Sequence, residues 1–264
     1  MKQFLLSLII IIGITIPNPT EAQESCTDRG SICSWADLFQ AAQMARQPIV
    51  TLNSDFVFAD LLGEFGNVVD RGWGGNLGIS VAPPPRYNSW SRYVRLHIDV
   101  GYVVYGTETM RMCLTRPCRI QTDMITTNSI LNLGLGPEFI LMAGPVRPYI
   151  SGTMGTTLFS TDTSLQGIAW DETDGLFTTN HFQDWTFSWK IGAGVKVSVT
   201  PSVSIDFGAD YLNNGIAKWM APGDVIDNDN RPPAYAYRKT KANLWMVHTG
   251  IEWTIFGRRS GHRR

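Results

Sequence analysis

The side chains with the chemistry to act are few, and most of them recur at every second position of strand-like runs. Asp55, Asp99, Glu138, Asp206, Asp210 and Glu252 are the candidate acids, Arg95, Lys190 and Lys196 the candidate cations, and His97 and His248 the candidate proton carriers. Brought together, such groups could do general acid–base work or line a path for ions. Nucleophilic catalysis asks for more, a Ser or Cys beside a histidine that an acid orients. His97 and His248 fall on the polar side of their runs, and no serine on the apolar side lies two residues from either. His181 sits beside Asp184 in a polar stretch, where a solvated histidine is the simpler account. The glycine-rich pieces GWGGNLG, GLGPE and GAG lie inside strand-like runs, with no following helix to make a phosphate loop. The acidic run DVIDNDN lacks the spacing of a calcium loop. These residues predict no cofactor, no metal and no catalysis.

Cysteines form two close pairs, Cys26/Cys33 and Cys113/Cys118. A metal site would need all four thiolates to converge, and no C-x₂-C spacing encourages that. In an oxidising compartment each pair is most simply a disulfide that staples a loop. The amino terminus points to such a compartment. Met1-Lys2 is a short basic start, Phe4 to Ile16 is apolar, and Thr20-Glu21-Ala22 is a small-x-small exit site. That is a secretory signal peptide, residues 1–22, of the kind exported through the Sec pathway, and it is too short to span a membrane as a helix. No later run is long and apolar enough for a membrane helix.

The elements that must position the polar groups are strands. The closing run shows it best: Val247, Thr249, Ile251, Trp253 and Ile255 alternate with His248, Gly250, Glu252 and Thr254. Val94 to Val104 sets Leu96, Ile98, Val100 and Tyr102 against Arg95, His97, Asp99 and Gly101. Trp185 to Val199 sets eight apolar residues against Ser188, Lys190, Gly192, Gly194, Lys196 and Ser198. Comparable runs begin at Pro48, Trp73, Thr122, Tyr149 and Val203, which makes eight strands, and all put one oily side opposite one polar side. Connectors counted back from the end alternate long and short: 213–236, 200–202, 161–184, 143–147 and 107–121. The segment PPPRYNSW, longer than an ideal turn, is the exception. Trp73, Tyr102, Tyr105, Tyr149, Trp185, Trp189, Tyr211 and Trp253 fall near strand ends, where interfacial girdles belong.

An even number of amphipathic strands in an exported chain without a membrane helix predicts an all-β fold, an eight-stranded antiparallel up-and-down transmembrane barrel. The barrel takes residues 48–256. Residues 23–47 precede it in the periplasm with a short helix opened at Ser34, its face made by Trp35, Leu38, Phe39 and Ala42. A basic tail, residues 257–264, follows it. Polar faces turned inward make Arg95, Asp99, Glu138, Lys190, Lys196, Asp206, Asp210 and Glu252 lumen charges, with Arg95 and Glu138 on neighbouring strands. An eight-stranded barrel is just wide enough for such side chains to fill it, so paired charges that hold its shape are the simplest use for them. The formal charge of −1, with 17% of residues charged, excludes a nucleic-acid partner of the usual basic kind.

The segment GEFGNVVDRGWGGNLGISV, the Gly-punctuated strands and the close of the chain resemble the OmpA/OmpX-like family of small outer-membrane β-barrels. His248, Gly250, Trp253 and Ile255 are similar to the β-signal that such proteins present, which implies the barrel assembly machinery as a partner during insertion. The chain departs from the family in continuing past Phe256 and in carrying no peptidoglycan-binding domain after the barrel. The resemblance covers about residues 48 to 256 and implies residence in the outer membrane, among its lipid and lipopolysaccharide. The expected role is structural or surface-interacting, exerted through long loops on a rigid scaffold. A narrow porin-like channel is the alternative, and a lipid A-modifying membrane enzyme the second alternative.

Overall fold

A computed structural model describes residues 48–69, 71–83, 93–113, 121–142, 144–166, 178–221, 223–228 and 231–256. The signal peptide, the helix expected after Ser34, residues Cys26, Cys33 and Cys118 with both expected disulfides, and the basic tail lie outside the described residues. Eight strands close into a barrel: β1 (Pro48–Leu61), β2 (Arg71–Val81), β3 (Val94–Cys113), β4 (Gln121–Ile140), β5 (Val146–Gln166), β6 (Thr178–Thr200), β7 (Val203–Asn214) and β12 (Leu244–Phe256). Every strand pairs antiparallel with its chain neighbours, and β12 meets β1 to close the ring. Closure leaves no sheet edge, which is what a sheet needs where water cannot serve its backbone. Between β7 and β12 lie two hairpins, β8 (Ile216–Trp219) with β11 (Arg238–Lys241), and β9 (Val225–Asn228) with β10 (Arg231–Tyr235). A single helical turn, α1 (Gly63–Gly66), joins β1 to β2.

The strands outrun their hydrophobic alternation. The fifth runs from Val146 to Gln166, beyond the Tyr149–Phe159 span that alternation marks out. The connectors expected at 107–121 and 161–184 are largely ladder, because β3 pairs with β4 out to Cys113↔Gln121 and β5 with β6 out to Ser164↔Thr178. His181, expected in a loop, belongs to β6. The polar stretch 213–236 holds β8, β9 and β10. The cause is physical. Beyond an apolar surrounding the outward face no longer carries oily side chains and the buried inner face is polar, as at Thr126, Thr161 and Thr163, so the period-two oily signal lapses while Thr-rich segments keep their strand preference.

Outward side chains are apolar on all eight strands. Phe56 and Phe58, Trp73, Leu77 and Ile79, Leu96 to Tyr102, Leu135 and Phe139, Ile150 and Met154, Trp185 to Val199, Ile205 and Phe207, and Val247 to Ile255 all expose large hydrophobic surface at alternate positions. On β6 the run from Trp185 to Val199, tilted by about 40°, measures roughly 35 Å along the barrel axis, and on β12 Trp245 to Ile255 measures roughly 25 Å. The full 23 residues of β6 give a wall of roughly 55–60 Å. A stiff ladder therefore continues well past the oily belt. Two of the aromatics expected in a girdle turn inward instead, since Tyr105 and Tyr149 are buried. Tyr105 keeps the inward parity of Arg95 to Val103 and is itself the extra residue of the β3–β4 ladder, between Val104 and Gly106.

Candidate functional site: the filled lumen

The interior has two storeys. Towards the end where β1 stops and β12 starts, inward positions are apolar: Val57, Ala59 and Leu61 on β1, Val103 and Tyr105 on β3, Ile130 on β4, Phe159 on β5, Leu212 on β7, Leu244 and Met246 on β12. The expectation of a polar lumen throughout fails here. Its sequence trace is that the strands become apolar on both faces, as in Phe56-Val57-Phe58, Val103-Val104 and Leu244 to Val247. The α1 turn drops Phe65, 0% exposed, into this mouth. Its ring meets Trp219 at 4.5 Å, Tyr105 at 5.0 Å and Phe159 at 6.3 Å, all edge-on. Gly63 makes the turn with a φ of +67°, a conformation that side chains disfavour. Tyr105 donates its hydroxyl to the Met220 carbonyl at 3.1 Å, which ties the β7–β12 connection to the barrel wall.

The second storey, towards the end where β1 starts and β12 stops, is polar. Each charge arrives from an inward position of its own strand: Asp55 from β1, Arg95 and Asp99 from β3, Glu138 from β4, Arg147 from β5, Lys190 and Lys196 from β6, Asp206 and Asp210 from β7, Glu252 from β12. Arg95 and Glu138 are register partners, 3.7 Å apart. Lys196, 2% exposed, lies 2.7 Å from Glu138 and 2.6 Å from Glu252, with its ammonium 4.6 Å above the Tyr149 ring. Glu252, 0% exposed, also accepts from Arg147 at 3.1 Å and faces Arg95 at 3.7 Å. Arg147 anchors itself on Ser204 at 2.7 Å. Three cations and two carboxylates thus form one knot across β3, β4, β5, β6 and β12. Arg147 did not figure among the lumen charges expected from sequence because Arg147-Pro148 reads as part of a turn, yet β5 already begins at Val146.

A second group sits beside it. Lys190 donates to Asp99 at 2.5 Å, and His97 places Nε2 3.9 Å from the same carboxyl while Nδ1 lies 2.8 Å from the Ser80 hydroxyl. His248 pairs Nδ1 with Asp210 at 3.1 Å, and its Nε2 lies 3.0 Å from the Tyr149 hydroxyl, which also reaches Asp206 at 3.0 Å. Asp55 accepts from Asn53 at 2.7 Å and Asn76 at 3.3 Å.

Ser80, His97 and Asp99 have the composition of a nucleophile, a base and an orienting acid. Their setting argues for bracing. All three are buried, Asp99 is already held by Lys190, and no room adjoins them for a substrate. Two interior gaps, one lined by Asn76, Lys190, Asp210 and His248 and the other by Asp55, His97, Glu138 and Lys196, measure about 20 Å³ each. That holds a single water. Among the described residues no group of three or more His, Cys, Asp or Glu is arranged to hold a metal.

The four residues at the close of β12 separate in the same way. His248 is inward and bonded as described, and Trp253 and Ile255 are outward. Gly250 faces Asp55 across the β1–β12 seam, where a Cβ would overlap the Ser54 carbonyl and the Asp55 side chain. Glycine is needed there for closure itself.

No protein-family model matches this chain, and no curated protein does. Among solved structures the chain is similar to small eight-stranded outer-membrane barrels. They include Neisserial surface protein A, at 14% identity over 78% of this chain and 97% of that one, with a TM-score of 0.39. The attachment invasion locus protein Ail of Yersinia pestis matches at 12% identity over 78% and 99%, TM-score 0.40. The outer membrane protein OprG of Pseudomonas aeruginosa matches at 11% over 80% and 98%, TM-score 0.37. The barrel assignment rests on the chain's own closed strand pairing.

Proposed function

We propose that this protein is an integral outer-membrane barrel whose role is structural or surface-interacting, with a lumen that braces the wall and neither conducts nor catalyses. The observation that carries this reading is the filled interior: an aromatic plug in one storey, an ion-paired knot in the other, and two gaps beside the charges that each hold about one water. The belt of exposed apolar side chains around the whole circumference supports the membrane, since in water a surface of that extent would drive aggregation. The strand extensions beyond the belt supply a rigid platform for contacts at the cell surface, with the start of β1 and the end of β12 at the opposite, periplasmic end.

Reconstitution in a planar bilayer tests the lumen. The expected record is flat, without discrete current steps at any holding potential. Reproducible steps that change in size when Lys196 or Glu252 is substituted would replace this reading with the narrow channel. Mass spectrometry of lipid A from cells with and without the protein tests the enzyme alternative, and an unchanged spectrum is expected.

A further inference from the structure

The β7–β12 hairpin does not end at its last barrel pair. It continues past one extra residue, Gly215, as the β8–β11 ribbon, whose register is Ile216↔Lys241, Ala217↔Thr240, Lys218↔Lys239 and Trp219↔Arg238. One face of the ribbon is fixed inward. Ala217 and Trp219 are buried, and the Trp219 indole donates to the Thr240 hydroxyl at 3.1 Å while packing on Phe65. The other face is therefore held outward, and it carries Ile216, Lys218, Lys239 and Lys241.

That outward face is electrostatically unsettled. Lys218 and Lys239 stand directly opposite each other, where paired Cβ atoms are about 5 Å apart and like charges destabilise a ladder. Lys239 and Lys241 have no acidic partner among the described residues, and Lys218 meets only the Tyr237 ring, at 5.4 Å. The neighbouring carboxylates are engaged elsewhere: Asp184 accepts the Lys218 backbone N–H at 2.6 Å, and Asp224 pairs with Arg238. The ribbon is pinned at one height. Lys241 lies four residues beyond Trp245, roughly 10 Å along the axis. Trp245, Tyr211 and Trp189, with ring centroids 6.4 and 5.7 Å apart, lie in the upper part of the oily belt, which on β6 ends at Trp185, next to the Asp184 that accepts the Lys218 N–H. Beyond Trp185 is the headgroup layer.

We infer that Lys218, Lys239 and Lys241 form a binding site for the phosphate groups of outer-leaflet lipid, with Ile216 against the lipid's upper acyl segment. Phosphate between the facing lysines removes their repulsion, and the inward anchors keep the site assembled before the lipid arrives. The inference rests on the membrane reading above.

The test uses full-length mature protein in phosphatidylcholine nanodiscs, challenged with bis-phosphorylated lipid A or its dephosphorylated form, against the variant Lys218→Gln/Lys239→Gln/Lys241→Gln. Each lysine near an anionic surface is worth about fivefold in affinity, so the triple variant should bind lipid A roughly a hundredfold more weakly. Its thermal unfolding in phosphatidylcholine alone should match wild type or rise slightly, because none of the three side chains is buried and the facing like charges are gone. Wild type and variant should bind the dephosphorylated lipid equally and weakly. Equal binding of phosphorylated lipid by both proteins overturns the site, as does wild-type binding that ignores the phosphates. Displacement by a soluble sulfated glycan at equal molar concentration would assign the lysines to a soluble polyanion and likewise overturn it. Failure to enter the nanodisc at all would remove the membrane reading first, and the inference with it.

Discussion

Glu252→Gln is the perturbation that probes the ion-paired knot most sharply. The carboxylate contacts Arg147 at 3.1 Å and Lys196 at 2.6 Å, faces Arg95 at 3.7 Å, and has no exposed surface. Neutralising it leaves three buried cations facing Glu138 alone. Removing one partner from a buried ionic set costs about 3–5 kcal/mol. With a urea slope near 2 kcal/mol per molar, the unfolding midpoint should fall by roughly 1.5–2.5 M. Lys196→Met in the same background removes one excess cation, so the double variant should be more stable than the sum of the single effects predicts, by about 2 kcal/mol. The assay is urea-dependent unfolding from thin phosphatidylcholine vesicles, followed by tryptophan fluorescence and by gel mobility. The reasoning fails if Glu252→Gln costs less than about 1 kcal/mol, or if the two substitutions simply add.

Other consequences follow from the same geometry. Ile251→Arg puts a charge in the middle of the oily belt on β12 and should cost about 2–4 kcal/mol in vesicle refolding, whereas Ile216→Arg, at the upper edge of the belt, should cost less than about 1 kcal/mol. Phe65→Ala removes the residue around which the mouth packs and should cost about 3 kcal/mol or more, read by urea unfolding. Bilayer current should stay flat in that variant, because the knot beneath the plug is intact. Gly250→Ala should prevent closure even in refolding from urea, as its Cβ has no space beside Ser54 and Asp55. Trp253→Ala should refold normally in vesicles but accumulate unassembled in cells if the end of β12 is what the assembly machinery recognises. Equal behaviour in both settings would remove that role from Trp253.

Much of the fold was legible because a membrane barrel writes its two surroundings into alternate residues. On β6 each outward position from Trp185 to Val199 is apolar, and the intervening positions can only face inward. What alternation cannot carry is partnership. Lys196 is spaced like Lys190, yet one joins two glutamates and the other an aspartate, and only the closing of distant strands decides which. Ser80 beside His97 was invisible for the same reason, since β2–β3 register puts them opposite each other. Two further features went unread because the pattern lapsed. Where both faces are polar, as in Ser160 to Ser164, strand looks like loop, although Thr161 and Thr163 are buried on the inner face. Where both are oily, as in Leu244 to Val247, the inward half of the pattern hides the apolar storey and the place that Phe65 fills.

The central claim is a closed barrel that resides in the outer membrane and presents its oily side to lipid. Its most direct test is the gel mobility of the mature protein in fractionated membranes, boiled against unboiled in mild detergent. The account predicts that the protein is in the outer-membrane fraction and that the unboiled form migrates faster, as a barrel resisting detergent does. Recovery from the soluble periplasm, with one mobility whether boiled or not, would contradict it.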